Sequence, residues 1–193
     1  MEGSVEGLRA RAPVHFWNFA SRARVCAWTL WNAIDDPPDA SVIGFRPSTA
    51  GALHHGWQRE RSFALESIVK AAIAAQRQIA QDKRPPSKTH DVETLWGEAK
   101  LPKLNRDDKW RLRKTSQLMD WEGRYATPAS LKKDRSQSLE TLLPRHMNGW
   151  IVGSSPPFGW DEFDRLYQVA EQSFFHSQAQ LSGGPLRDGL DKR

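Results

Sequence analysis

The residues from Arg59 to Asp91 limit the possible folds more than any other stretch. Leu65, Ile68, Val69, Ala72, Ile73, Ala75 and Ile79 recur at helical spacing. Alanine is frequent and β-branched residues are few, which favours the helix further. Ala71, Ala74 and Ala75 leave room for a neighbouring helix to approach closely. Glu66 and Lys70 stand four apart with the acid first, the favourable order for a helical ion pair. Pro85 and Pro86 cannot donate helix hydrogen bonds and are expected to end the run. Ser87 or Thr89 is then expected to cap a new helix, with Asp91 and Glu93 in its first turn.

A chain of 193 residues is long enough for one domain with a real core. With 38% hydrophobic and 26% charged residues, it reads as globular rather than disordered. Nine tryptophans are too much indole to leave in water, so several belong in a core or a contact surface. The net charge of +5 is compatible with a polyanionic partner and equally with ordinary surface lysines and arginines. The one cysteine, Cys26, excludes an intrachain disulfide and a multi-thiolate zinc site. Its apolar helical setting predicts a buried packing residue. A reducing cytoplasm fits that reading. No uninterrupted apolar run marks a signal peptide or a membrane span.

Taken in order, residues 1–13 read as a flexible N-terminus. A first helix is expected from Val14 to Trp31, with Phe16, Phe19, Ala20, Ala23, Ala27, Leu30 and Trp31 on one face. Residues 32–53 read as a long surface loop, with Val42-Ile43-Gly44-Phe45 extended or tucked against the helices. The second helix starts near Leu53 or Gly56 and runs to about Gln81. The third is short, from about His90 to Glu98 or Lys100, with Val92, Leu95 and Trp96 apolar. Asn105 or Asp107 can cap a fourth helix that continues to Trp121 and stops at Gly123. Its apolar side is read as Trp110, Lys114, Leu118 and Trp121, with Leu112, Thr115 and Met119 beside it. Residues 124–158 carry a weak helical pattern over 129–143 and then irregular chain, which Trp150-Ile151-Val152 is expected to anchor. The last helix runs from Trp160 to about Ala179, with Trp160, Phe163, Tyr167, Ala170 and Phe174 recurring. The expected fold is all-α: a bundle of about five helices with long connecting loops over residues 14–180, followed by a disordered tail at 181–193.

Three pieces resemble the HEPN domain family, an all-α nucleotide-binding and nuclease fold. FALESIVKAAIAA resembles the family's alanine-rich helix with Glu66 and Lys70 four apart. RPPSKTHDVETLW resembles its proline-rich link into a Thr-His-Asp helix start. WEGRYATP resembles its Arg-Tyr-Pro exit, with Ala126-Thr127 displacing the proline to Pro128. LYQVAEQSFF sits where the family's terminal helix is expected. The resemblance covers residues 14–179 and departs from a compact bundle at the long segments 32–53 and 124–158.

The resemblance implies nucleotide or RNA binding, with no cofactor and no metal. Ribonuclease members carry an arginine followed a few residues later by a histidine; Arg84 and His90 have five residues between them. The residue types suit the chemistry. Histidine, with an ordinary pKa of about 6.5, can take a proton from a ribose 2′-hydroxyl. Arginine's planar fork can hold the scissile phosphate. The bland readings are a helix-start histidine that fixes the link and a solvated arginine after a helix end. Glu66 and Lys70 are either a surface or interface ion pair or part of the nucleotide cleft. Arg124 and Tyr125 either contact phosphate and base or lock a helix exit. His54-His55 and Arg145-His146 are other sources of an imidazole. The family's cleft lies between two protomers, so a homodimer is expected.

The function expected from the resemblance is a metal-independent endoribonuclease in bacterial defence or a toxin–antitoxin system, where an antitoxin is a natural partner. The alternative is a non-catalytic interaction module working with a protein such as a nucleotidyltransferase. A basic run, Lys100, Lys103, Arg106, Lys109, Arg111, Arg113 and Lys114, accompanies Trp96 and Trp110. It is either a nucleic-acid contact or a solvated helix face.

Overall fold

The computed structural model describes residues 12–39, 49–121, 145–147, 150–152 and 156–183. They form five helices: α1 (Pro13–Asn32), α2 (Thr49–Ile79), α3 (Val92–Glu98), α4 (Arg106–Trp121) and α5 (Trp160–Leu181). Two short strands, β1 (Arg145–Met147) and β2 (Trp150–Val152), pair antiparallel with His146 opposite Ile151. The described chain is therefore mostly helical, as expected. The expected helix at 129–143 and the stop at Gly123 lie outside the described residues.

Helix α2 is the axis. Its 31 residues span about 46 Å. Between Arg61 and Ala75 every residue except Phe63, Ser67 and Lys70 is buried. A helix covered on nearly all sides is a central one, and α1, α3, α4 and α5 all pack against it. Alanine makes this possible. Ala20, Ala23 and Ala27 of α1 and Ala64, Ala71, Ala72 and Ala75 of α2 are all buried. At Gly56, a Cβ would lie 3.3 Å from Leu30 Cδ1 on α1. Larger side chains fill the remaining core, with Trp57, Leu65, Ile68, Leu95, Leu112, Phe163, Tyr167 and Phe174 almost fully enclosed.

Several local expectations need correction. Cys26 is exposed, not buried. It stands about 100° round the helix from Ala27, off the buried alanine stripe. Phe19 is also half exposed and meets Phe63 edge-on. Helix α2 begins at Thr49, within what reads as loop. The buried side of α4 is Asp108, Arg111, Leu112, Thr115 and Met119, while Trp110, Lys114 and Leu118 are only partly covered. Asn105 does cap α4, accepting from the Asp108 N–H at 2.8 Å.

The link between α2 and α3 also differs in detail. The prolines do not stop α2; it has ended by Ile79. The Asp82 N–H reaches back to the Arg77 carbonyl and the Gln81 N–H to the Gln78 carbonyl. This is a Schellman stop with Gln81 at φ 53°, in the left-handed region. Asp91, rather than Ser87 or Thr89, caps α3, accepting from the Thr94 N–H at 3.1 Å. Thr89 instead accepts from the Asp91 N–H at 3.0 Å.

Two buried arginines fasten the approach to α5. Arg61 Nη1 donates to the Phe158 carbonyl, and its guanidinium lies 4.1 Å from the Trp57 ring centre and 3.8 Å from that of Phe158. Arg111 Nε donates to the Pro157 carbonyl at 2.9 Å, while its Nη1 pairs with Asp108 at 2.7 Å. The two carbonyls give the buried guanidinium groups acceptors, which removes part of the penalty of enclosing them; Arg61 Nε keeps no partner among the described residues, and burial lowers the Arg61 pKa to about 9. Helix α5 then starts with Glu162 accepting the Gly159 N–H at 2.8 Å.

The left-handed Gln81 yields a stability prediction. Glycine carries no Cβ penalty in that conformation. Gln81→Gly is therefore expected to stabilise the chain by up to about 1 kcal/mol, and thermal unfolding should shift upward by about 2–4 °C. An unchanged or lower midpoint by circular dichroism would contradict this account of the helix stop.

Candidate functional site

Glu66 lies in the buried middle of α2, and Lys70 follows it one turn later. Lys70 Nζ donates to Glu66 Oε1 at 2.6 Å. The pair is not a surface one, since the side chains are only 12% and 8% exposed. His90 reaches the same carboxylate from the link before α3. Its Nδ1 lies 3.0 Å from both Glu66 oxygens. An ionised carboxylate only accepts, so Nδ1 carries the proton and donates. The imidazole's tautomer and direction are thereby fixed. Nε2 is left with a lone pair and no partner among the described residues, on a side chain that is 23% exposed.

Neighbouring contacts hold His90 in place from the other side. Ser116 on α4 accepts the Val92 N–H at 2.9 Å, and Arg113 on α4 pairs with Glu93 at 2.6 Å. Together with Thr89 and Asp91, these bonds leave the histidine little freedom in its backbone. A basic imidazole nitrogen without a partner, on a partly exposed ring backed by a carboxylate, is the arrangement of a general base. Among the described residues no three His, Cys, Asp or Glu side chains gather in a way that could hold a metal ion.

Arg84 is elsewhere. Its guanidinium is engaged with both carboxylate oxygens of Asp82 at 2.7–3.0 Å, on a side chain 79% exposed. That contact holds the Asp82 carboxyl down to about 2, with Arg84 hydrogen bonding the largest cause, so the pair is fully ionised at neutral pH. The Arg84 carbonyl is bound by Arg77, eleven residues along α2 from Glu66, or about 16 Å of helix axis. Arg77 also donates to the Pro85 carbonyl and pairs with Glu98 at 2.7 Å. Within one chain, then, the structure brings His90, Glu66 and Lys70 together and places Arg84 at another end of α2. Arg84 borders an open cleft of about 440 Å³ with Arg77, Gln81, Asp82 and Lys83, away from His90.

Arg124 and Tyr125 lie outside the described residues. His54 and His55 are exposed near the start of α2, where His54 Nε2 meets the Gln58 amide at 2.8 Å. Arg145 and His146 belong to β1. The partnership of Glu66 with His90 is what the sequence does not reveal. The two are 24 positions apart, and Lys70 is a satisfying partner for Glu66 by itself.

Compared with known proteins, the chain matches no family model, no curated protein and no solved structure. No helix among the described residues is long and apolar enough to cross a membrane.

The shared carboxylate makes a double-mutant cycle informative. Glu66→Gln strips Lys70 of its counter-charge and weakens the acceptor for His90 Nδ1 in a mostly buried place, and is expected to cost about 3 kcal/mol. Glu66→Gln combined with Lys70→Met should cost less than the sum of the single changes by about 1 kcal/mol or more. Urea unfolding of the four proteins measures this, and strict additivity would show that the two groups do not interact.

Proposed function

We propose that the chain is a HEPN-like domain that binds nucleotide or RNA and acts as a metal-independent endoribonuclease. The observation that supports this most directly is the partly exposed His90 imidazole, oriented through Nδ1 by Glu66, with no partner on Nε2 among the described residues. The reaction suited to it uses the substrate's own 2′-hydroxyl as nucleophile. His90 Nε2 takes the hydroxyl proton as the 2′-oxygen bonds to phosphorus. The bond to the 5′-oxygen breaks, and that oxygen leaves as a hydroxyl after receiving a proton. The products are a 2′,3′-cyclic phosphate and a 5′-hydroxyl end. Glu66 acts through His90, as the positioning residue.

The scissile phosphate needs a cation, and Arg84 is the residue proposed for it. Because Arg84 of the same chain stands apart from His90, the proposal requires a homodimer in which a second protomer supplies Arg84 to the cleft. Glu66 and Lys70 are already committed to one another and to His90, so their role is to build the site rather than to touch base or phosphate. The setting proposed is bacterial defence or a toxin–antitoxin pair, with an antitoxin masking the cleft.

One observation favours a second reading. The Arg84–Asp82 contact leaves the expected phosphate clamp already occupied. On that reading the chain is a non-catalytic HEPN interaction module for a protein partner such as a nucleotidyltransferase, and His90 simply ties the link to α2.

Cleavage of single-stranded RNA in EDTA separates the two. The ribonuclease reading expects cyclic-phosphate ends and a loss of about 100-fold or more in rate for His90→Ala. Arg84→Ala should be similarly damaging, and mixing the two inactive variants should restore part of the activity if each cleft draws on two chains. Cleavage that is indifferent to His90→Ala would remove the site. No cleavage of any RNA, with tight binding to a nucleotidyltransferase, would favour the module.

A further inference from the structure

Helix α4 carries three exposed cations on one side. Arg106, Lys109 and Arg113 recur every three or four residues along one face, with Trp110 on the same face and Lys114 at its edge. Arg106, Lys109 and Arg113 are exposed, and Trp110 is partly so. The opposite side of the helix, with Leu112, Thr115 and Met119, is buried in the core. Lys103 extends the charge into the loop before α4. Asp107 is exposed but off the stripe, and Asp108 is turned inward to Arg111 and Arg165. Lys114 Nζ lies 5.6 Å from the Trp110 ring centre, and burial lowers its pKa.

The stripe leads somewhere. Its C-terminal part is bonded to the start of α3, through Arg113 to Glu93 and Ser116 to Val92, which directly follows His90 and Asp91 in the chain. From Arg106 to Ser116 the helix covers about 15 Å. Arg106 and Lys109 have no ion pair among the described residues, so their charge is available to a partner.

We infer that the exposed face of α4, formed by Arg106, Lys109 and Trp110, is the docking track for single-stranded RNA leading to His90. This deepens the reading of His90 as a ribonuclease base and rests on it for the identity of the polyanion. Cations at one-turn spacing follow a phosphate backbone without selecting sequence. An indole between them gives an unpaired base a flat surface on which to stack, which a duplex does not offer. An acidic protein would also satisfy the cations, and polyglutamate stands in for it in the test below.

The test uses full-length His90→Ala, so that RNA is bound and not cut, with fluorescein-labelled oligouridylate read by anisotropy at several salt concentrations. Arg106→Gln/Lys109→Gln is expected to weaken binding by about tenfold and to make the logarithmic salt dependence shallower by about 1.4, since each lost phosphate contact in a single strand removes about 0.7. Trp110→Ala should weaken binding with the salt slope unchanged. Arg22→Gln/Arg59→Gln removes the same charge from exposed positions on α1 and α2 and should change little. Equal losses in both double variants, no loss in either, or no RNA binding by the parent would overturn the track. A weakened double variant together with no cleavage by the wild-type chain would keep the track and reject the ribonuclease. Normal cleavage with binding indifferent to the α4 changes would do the reverse. If the α4 changes spare RNA but abolish binding to polyglutamate, the face belongs to an acidic protein instead.

Discussion

Burial of α2 on nearly every side is the constraint from which the rest of the structure follows. A helix surrounded in this way needs small residues where its neighbours come nearest and long apolar ones where they diverge. The alanines between Ala64 and Ala75 meet the first need, and Leu65, Ile68, Val69 and Ile73 the second. The stabilisation comes from packing rather than from the helix's own propensity, because isolated helices are marginal in water. Each of the other described helices packs against this one. Even the short α3, seven residues long, is held because Val92, Leu95 and Trp96 close over the same core.

Ionic groups inside that core do structural and chemical work together. Arg61 and Arg111 grip the carbonyls before α5, so the direction in which the chain enters its last helix is set by buried side chains from α2 and α4. Glu66 stands in the same core, but it faces a lysine and a histidine. A carboxylate enclosed there without partners would cost several kcal/mol. Lys70 and His90 compensate it jointly, and in doing so the histidine is aimed. The aromatic sandwich around Arg61 and the carboxylate under His90 are two answers to one problem, the enclosure of charge on a helix with almost no exposed side.

The link from Ala80 to Asp91 determines what can meet His90. The Schellman stop at Gln81 turns the chain at once, and Arg77 then holds the Arg84 and Pro85 carbonyls close to where α2 ends. The remaining residues run back along α2 until His90 reaches Glu66. On a helix the six-residue step from Arg84 to His90 would span about 9 Å of axis and put the two side chains on different faces. Laid out as an extended, tethered link, the same interval separates them by about 16 Å along the central rod, roughly a third of its length. Spacing in the sequence is a measure of distance only once the backbone conformation is known.

The sequence by itself located the five described helices, give or take their ends, and which of them is longest, because apolar residues at helical intervals share a face that can be buried. It offered Asn105 or Asp107 as the cap of α4, and the structure takes Asn105, whose side chain reaches the nearby Asp108 amide. It left Cys26 on the wrong side and took Trp110 and Leu118 for the covered face of α4, because periodicity defines a stripe without saying which edge of it meets a neighbour. Glu66 with Lys70 was legible at four residues' separation. Glu66 with His90 was decided only by tertiary structure, as was the isolation of Arg84. These pairings depend on how a rigid link folds back along a rod, and no local pattern of side chains encodes that path.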